Sequence, residues 1–288
     1  MKRILVTGAN KGIGLATVER ILAEHEDTFV FLGSRDRGRG DAARESLLAG
    51  RGEWSARVEV VELDVSDEAS VRAAAEHVSA QLSGDGAPLY GIVNNAGMGV
   101  GSSDVAAVLG VNTYGVRHVC EAFVPLLDPE AARIVIVSSA SGPMFVRECT
   151  PERQRFFVSE GHSWDELDAF MQACVAAWGQ PDALAELGFE GADAYGLSKA
   201  CVNTYMLMLA RQHPKLAINA CTPGFIATDL TASYGRNPSM KTPHEGARAS
   251  LHLLFGELEG NAWYYGSDAV RSPLDAYRSP GDPPYRGE

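Results

Sequence analysis

Thr7-Gly8-Ala9-Asn10-Lys11-Gly12-Ile13-Gly14 is the stretch on which the fold turns. Residues 4–7 form a short apolar, β-branched run, and residues 13–24 repeat apolar side chains at helical spacing. The octapeptide therefore joins a strand to a helix. Glycines at such a junction permit a tight turn and let backbone N–H groups and the helix N-terminus approach a pyrophosphate with no Cβ in the way. Glycine-rich turns also serve as plain connectors. The strand-turn-helix setting is what points to a dinucleotide.

Outward from this turn, residues 29–32, 58–63, 89–93, 134–137 and 217–221 read as further strands, with helical patterns at 13–24, 67–82 and 104–127 among them. Repeated βα units predict an α/β protein built on a doubly wound parallel sheet of Rossmann type, with helices on both faces. Residues 142–191 break the rhythm. They are polar and aromatic, carry helical patches such as Trp164–Ala177 and contain no strand pattern, which predicts a helical insertion. Residues 272–288 are rich in Pro, Gly, Arg and Asp, a composition for a tail that is either extended over the surface or disordered. No repeat or linker divides the chain, so residues 1–288 are expected to form one domain.

Composition narrows the function classes. With 45% hydrophobic residues the chain can bury a substantial core, and its net charge of −12, without any Lys/Arg-rich stretch, argues against nucleic acid and anionic membrane as partners. No apolar run approaches the ~18 residues of a membrane helix. Met1-Lys2-Arg3 leads directly into the first strand without a signal core, and Arg286-Gly287-Glu288 matches no lipidation or retention signal, so the expected compartment is the cytoplasm. Cys120, Cys149, Cys174, Cys201 and Cys221 are scattered singly, as reduced thiols are. His25, His77, His118, His162, His213, His244 and His252 form no close ligand pair, and no metal site is expected. Gly-x-Ser-x-Gly is absent, which argues against an α/β-hydrolase.

Lys11 lies within the glycine turn, and Arg35 follows the second strand. An acid at the end of that strand would accept hydrogen bonds from a ribose 2′-hydroxyl, whereas cations there neutralise a 2′-phosphate. NADP(H) is therefore the expected cofactor, with Asp36 next to Arg35 pulling the other way.

Tyr195 and Lys199, four residues apart at the start of a long helical segment, share one helix face. A free tyrosine titrates near ~10 and is a poor proton shuttle at neutral pH. A neighbouring ammonium and an oxidised nicotinamide both favour the phenolate and bring it toward a useful range. The fifth strand ends in Ser138-Ser139, where active-site groups of open α/β sheets lie, and a hydroxyl there can support a substrate oxygen as it gains charge. These considerations do not choose between the two serines.

Taken together and in order, these motifs resemble the short-chain dehydrogenase/reductase family over roughly residues 1–270. The Thr7 to Gly14 spacing matches, as do Asn94-Asn95-Ala96-Gly97 after the fourth strand, Asn112 in the next helix and Pro223-Gly224-Phe225-Ile226-Ala227-Thr228 after the sixth strand. The resemblance implies that Gly8, Asn10, Gly12, Ile13 and Gly14 cradle the cofactor, that Asp64 meets the adenine amino group and that the segment of Asn94 and Ala96 lines its ribose. It also implies that Asn112 holds a water relaying protons to Lys199, that the Ile226 backbone and the Thr228 hydroxyl hold the carboxamide, and that Ser139, rather than Ser138, faces the substrate.

The 56-residue interval from Ser139 to Tyr195, with Thr150-Pro151-Glu152-Arg153 and Thr242-Pro243-His244-Glu245, is similar to the monomeric carbonyl reductase subgroup and to the salutaridine- and menthone-type plant reductases. That subgroup implies reduction of a ketone, aldehyde or quinone by NADPH, with Tyr195 as general acid, in a monomer whose insertion covers the helix face used for tetramers. A dedicated biosynthetic ketoreductase, an alcohol dehydrogenase and a non-catalytic NADP(H) sensor are the alternatives. Phe225, Met144, Phe145, Phe157 and Trp164 are candidates to line an apolar substrate pocket, packing of the insertion being the competing role for its aromatics.

Overall fold

One eight-stranded sheet runs in the order β3-β2-β1-β4-β5-β6-β7-β8 in the computed structural model, which describes residues 1–85, 88–99, 101–235 and 237–287. Its strands are β1 (Lys2–Val6), β2 (Thr28–Ser34), β3 (Val58–Glu62), β4 (Leu89–Asn94), β5 (Arg133–Val137), β6 (Ala217–Cys221), β7 (Tyr264–Tyr265) and β8 (Arg271–Ser272). All neighbours pair in parallel except β7 and β8. The expected doubly wound sheet is therefore present.

The helices are α1 (Gly12–Glu24), α2 (Arg37–Leu48), α3 (Glu68–Asp85), α4 (Val105–Leu109), α5 (Gly115–Phe123), α6 (Ser141–Arg147), α7 (Pro151–Val158), α8 (Trp164–Ala177), α9 (Pro181–Glu186), α10 (Ala194–Gln212), α11 (Pro243–Gly246) and α12 (Arg248–Phe255). Strand alternation divides the apolar side chains between the two faces. On β1, Ile4 and Val6 join Val18, Ile21 and Leu254 on one side, while Leu5 joins Val78, Phe123 and Ile134 on the other. Both faces are dry, as parallel sheets require. The strand order reverses between β1 and β4, which opens a crevice beyond their carboxyl ends.

The insertion folds as α6 to α9, as its helical pattern predicts. Its aromatics pack on one another. Phe145, Phe156, Phe157, Phe170 and Phe189 form a continuous set of ring contacts, with the Arg153 guanidinium 4.1 Å from the Phe170 ring. Burying a side chain such as Phe157 stabilises by about 2–3 kcal/mol, which explains why these rings turn inward. They fasten the insertion to α10: the Thr204 hydroxyl donates to the Phe157 carbonyl oxygen at 2.9 Å, and Trp164 stacks edge-on against Tyr205. With β6, α4 and the turn at Gly110–Tyr114 packed on its other sides, every residue of α10 from Gly196 to Ala210 is buried.

The sequence pattern missed β7 and β8, whose two residues each are too few to show alternation. They hold down the C-terminal segment. Arg278 is buried, pairs with Asp268 and donates to the Ser272 hydroxyl at 2.9 Å, while Tyr285 N–H donates to the Arg271 carbonyl oxygen at 3.0 Å. Of the two conformations open to the tail, the extended, packed one is found; its last residue, Glu288, lies outside the described residues. Among the described residues no helix is long and apolar enough to cross a membrane.

Candidate active site

The glycine turn is shaped by contacts that exclude side chains. Gly8 and Gly12 have φ of +61° and +57°, and a Cβ at Gly8 would stand 2.8 Å from the Ala96 Cα. A Cβ at Gly14 would meet the Gly8 carbonyl oxygen at 2.6 Å and the Asn95 amide at 2.5 Å. Thr7 and Asn95 tie the turn to the end of β4. The Thr7 hydroxyl oxygen accepts from the N–H groups of Asn95 and Ala96 at 3.0 Å, and Asn95 Nδ2 donates to the Thr7 carbonyl oxygen at 2.9 Å. Lys11, at the N-cap of α1, makes no side-chain cap, and no acid sits in the first turn. The positive end of the helix therefore faces the cavity without a side-chain anion, as a phosphate site requires.

That cavity has a volume of about 630 Å³ and runs from Gly8, Asn10, Gly12 and Ile13 past Arg35 and Asp64, along Ala96 and Gly97, to Lys199, Tyr195 and Thr228. A cradle closed to any Cβ at Gly8 and long enough to reach Tyr195 fits an extended dinucleotide.

At the end of β2 the charges sort themselves. Asp36 Oδ1 accepts from Arg39 N–H at 2.8 Å as the N-cap of α2, so the carboxylate that argued against a 2′-phosphate serves the helix. Arg35 and Arg39 both line the cavity, with Asp36 between them; Arg39, in the first turn of α2, was missed because its direction depends on the helix register. Arg35 Nε lies 3.9 Å from Asp64 Oδ2, and Asp64 Oδ1 accepts from Ser66 N–H and its hydroxyl at 3.0 and 2.6 Å. Lys11 also lines the cavity, beside Asp229. Its Nζ pairs with Asp229 Oδ2 at 2.6 Å, linking the glycine turn to the segment after β6 and holding the Asp229 carboxyl below its usual range.

At the far end Lys199 lies below Tyr195, its Nζ 5.6 Å from the phenol ring centroid and donating to the Val137 carbonyl oxygen at 3.0 Å. Burial pushes the Lys199 ammonium down to about 8. Strand alternation separates the two serines. Ser138 is buried with its hydroxyl toward the Lys199 carbonyl oxygen at 3.4 Å, whereas half-buried Ser139 exchanges hydrogen bonds with Ser141 at 3.2 Å. Ser139 is therefore the accessible hydroxyl, and it lies outside the lining of the 630 Å³ cavity, to which Ser138 contributes.

Asn112 sits in a π turn, Gly110–Tyr114, that interrupts the helix expected over 104–127. Its side chain is fully buried: Oδ1 accepts from Met98 N–H, and Nδ2 donates to the Met98 carbonyl oxygen and the Ser198 hydroxyl, each at 2.9 Å. A Cβ at Gly97 would stand 3.4 Å from Asn112 Oδ1 and 3.7 Å from Lys199 Nζ, so both groups border this glycine.

Several expected residues are absent from the cavity's lining. The Asn94 side chain is buried in the sheet, with Nδ2 3.5 Å from Cys120 Sγ, and does not reach the cavity. As the last residue of β4 it follows the pleat inward, and Asn95, Ala96, Gly97 and Met98 form that wall instead. Ile226 is buried against the position of a Gly246 Cβ, and its carbonyl oxygen accepts from the Thr231 hydroxyl at 2.6 Å. Phe225, Gly14 and Asn112 are also outside the lining. Phe145 and Phe157 are consumed by packing, Trp164 lies between Tyr114, Tyr205 and Arg117, and Met144 is 52% exposed. Among the described residues no group of His, Cys, Asp and Glu is arranged to hold a metal ion.

Comparison with known proteins agrees with this geometry. Residues 2–151 match the family model described as short chain dehydrogenase. Carbonyl reductase (NADPH) 1 of Mus musculus is 32% identical over 262 residues, covering 86% of this chain and 89% of the relative. The (+)-neomenthol dehydrogenase of Arabidopsis thaliana is 30% identical over 277 residues, covering 86% and 90% respectively. Salutaridine reductase from Papaver somniferum has the same fold, with a TM-score of 0.77 at 24% identity over 92% of this chain and 99% of that one. Sequence, fold and the placement of Tyr195 and Lys199 beyond the sheet thus lead to one assignment: this chain belongs to the short chain dehydrogenase family.

Proposed function

We propose that the protein reduces the carbonyl group of a ketone, aldehyde or quinone with NADPH, Tyr195 acting as the general acid. The carrying observation is that Lys199, buried and bonded to the Val137 carbonyl oxygen, stands below Tyr195 at the end of the cavity that begins at the glycine turn. The nicotinamide supplies the hydride. Gly8 and Gly12 leave room for the pyrophosphate at the bare N-terminus of α1, and Arg35 with Arg39 answers a 2′-phosphate.

In the reduction, Ser139 Oγ donates to the carbonyl oxygen as its charge grows, and Tyr195 passes its proton to the same oxygen. Lys199 holds positive charge near the resulting phenolate. Asn112, locked by Met98 and Ser198 and placed with Lys199 beside Gly97, organises the proton path to solvent. The resemblance to (+)-neomenthol dehydrogenase favours a second, narrower reading, a dedicated alcohol dehydrogenase or biosynthetic ketoreductase. Intact Ser139, Tyr195 and Lys199 count against a sensor without turnover. The proposal further takes the chain as a single-domain, cytoplasmic monomer acting on small molecules.

The test is NADPH consumption over aldehydes, quinones, β-keto esters and cyclic terpenoid ketones. Turnover across several classes supports the broad carbonyl reductase; turnover confined to one skeleton supports the narrower reading. No consumption with any carbonyl, in protein shown to bind NADPH, overturns both.

A further inference from the structure

The glycine turn and the segment after β6 meet across the mouth of the cavity. Lys11 and Gly12 line it from one side, Thr228 and Asp229 from the other. A Cβ at Gly12 would stand 3.4 Å from Thr228 Cγ2, which puts the two segments within van der Waals reach. Beside that contact, Lys11 Nζ donates to Asp229 Oδ2 at 2.6 Å. Both residues belong to the lining, yet 60% of the Lys11 side chain and 77% of that of Asp229 stay open to solvent, so the pair lies at the rim and not on the floor.

Each end of the pair stands on a braced backbone. Lys11 is the extended N-cap residue of α1, its carbonyl oxygen accepting from Leu15 N–H at 3.2 Å. Asp229 opens the turn Asp229–Tyr234, which is tied to its own base: Thr228 N–H donates to the Thr231 hydroxyl at 3.1 Å, and that hydroxyl donates to the Ile226 carbonyl oxygen at 2.6 Å. Ile226 in turn bridges to Lys241, with Ala227 N–H donating to the Lys241 carbonyl oxygen at 2.9 Å. A cavity that runs from Arg35 past the glycine turn to Tyr195 is thus spanned along its course by an ion pair. There Lys11 offsets a carboxylate that would otherwise repel phosphate, and an exposed pair of this kind is weak enough to open often.

We propose that Lys11 and Asp229 form a clasp over the NADP(H) site, closed in the free and the loaded protein, that sets how fast the cofactor enters and leaves without setting how tightly it is held. A gate that must open for both passages slows them by the same factor and leaves their ratio alone. Lys11 is then engaged by Asp229, and recognition of the 2′-phosphate falls to Arg35 and Arg39. Only the cofactor takes part, so the clasp does not depend on which carbonyl is reduced, or on whether one is.

The experiment follows NADPH fluorescence by stopped flow, with direct mixing for association and a chase of excess NADP+ for release. It compares the wild type with the double variant Lys11→Met and Asp229→Asn, which removes the pair without changing the net charge. Both rate constants should rise by about two- to fivefold, the scale of one exposed ion pair, while Kd stays within about twofold. Ionic strength raised to about 1 M should speed wild-type release more than that of the variant, because screening opens the pair. Unchanged rates in the variant overturn the proposal. So does faster release with unchanged association, which would make Lys11 a direct ligand of the cofactor. A loss of affinity for NADPH but not for NADH would assign Lys11 to the 2′-phosphate, and overturns it equally.

Discussion

Lys199 Nζ donates to the carbonyl oxygen of Val137 at 3.0 Å, so the ammonium of α10 is held by the last residue of β5. This fixes the Lys199 charge below Tyr195 before any ligand arrives, at a cost in solvation that lowers its pKa to about 8. The consequence is measurable. In the unfolded chain the lysine titrates near ~10.4, so between pH ~8 and ~10.4 the unfolded state binds more protons and folding stability from this group rises with pH. Lys199→Met should therefore be more stable than the wild type at pH 7, by up to roughly 3 kcal/mol less the lost hydrogen bond to Val137. Its advantage should shrink steadily up to pH 10, as followed by urea denaturation of the apoprotein. A constant difference across that window would mean Lys199 is not charged and desolvated in the fold.

Tyr195→Phe should lower NADPH oxidation by roughly 10²–10⁴-fold, the contribution of a positioned general acid. NADPH affinity, read by fluorescence titration, should stay within about twofold, because the ring and Lys199 remain while only the proton donor is lost. Turnover at the wild-type rate would remove Tyr195 from the mechanism.

Arg35→Ala and Arg39→Ala should each weaken NADPH by about tenfold, in line with a lost charge-assisted hydrogen bond, and leave NADH nearly unchanged. Arg39→Ala carries a separate control. Asp36 caps α2 through the Arg39 backbone N–H, which the substitution keeps, so thermal stability should not fall with the affinity. Equal losses for the two cofactors would show that these guanidinium groups do not meet the 2′-phosphate.

How far the sequence could be read depended on how local each feature is. The glycine turn and the pair Tyr195 and Lys199 are set by neighbours within a few residues, and both stand where their spacing places them. Asn94 and Asn95 show the limit: they are adjacent, yet one follows the pleat of β4 into the sheet and the other turns out to hold Thr7, a choice set by where the strand ends. Arg39 depends on the register of α2, and Lys11 on Asp229, 218 residues away. The insertion's aromatics carry no mark of their partners, and only the folded cluster of Phe145, Phe157 and Phe170 reveals that they face one another.

The burial of α10 bears on assembly. Symmetric oligomers reuse one surface on each subunit, and a helix can pair with its symmetry mate only where its outer face is free. Here Gly196 to Ala210 are buried within a single chain, with α7 and α8 of the insertion supplying the cover through Phe157 and Trp164. Opening that face would expose apolar area on both sides, at about 25 cal/mol for each Å² returned to water, before any contact with a partner forms. The protein should therefore be a monomer, with a mass near 30.8 kDa in sedimentation equilibrium that does not change over a wide concentration range. Trp164→Ala should loosen the cover and lower stability by roughly 1–2 kcal/mol, less than for a fully buried ring, without producing a dimer, since Phe157 and its neighbours still occupy the helix. A stable dimer or tetramer of the wild type joined through α10 would require the insertion to leave that helix in solution, and would overturn the reading of the insertion as its cover.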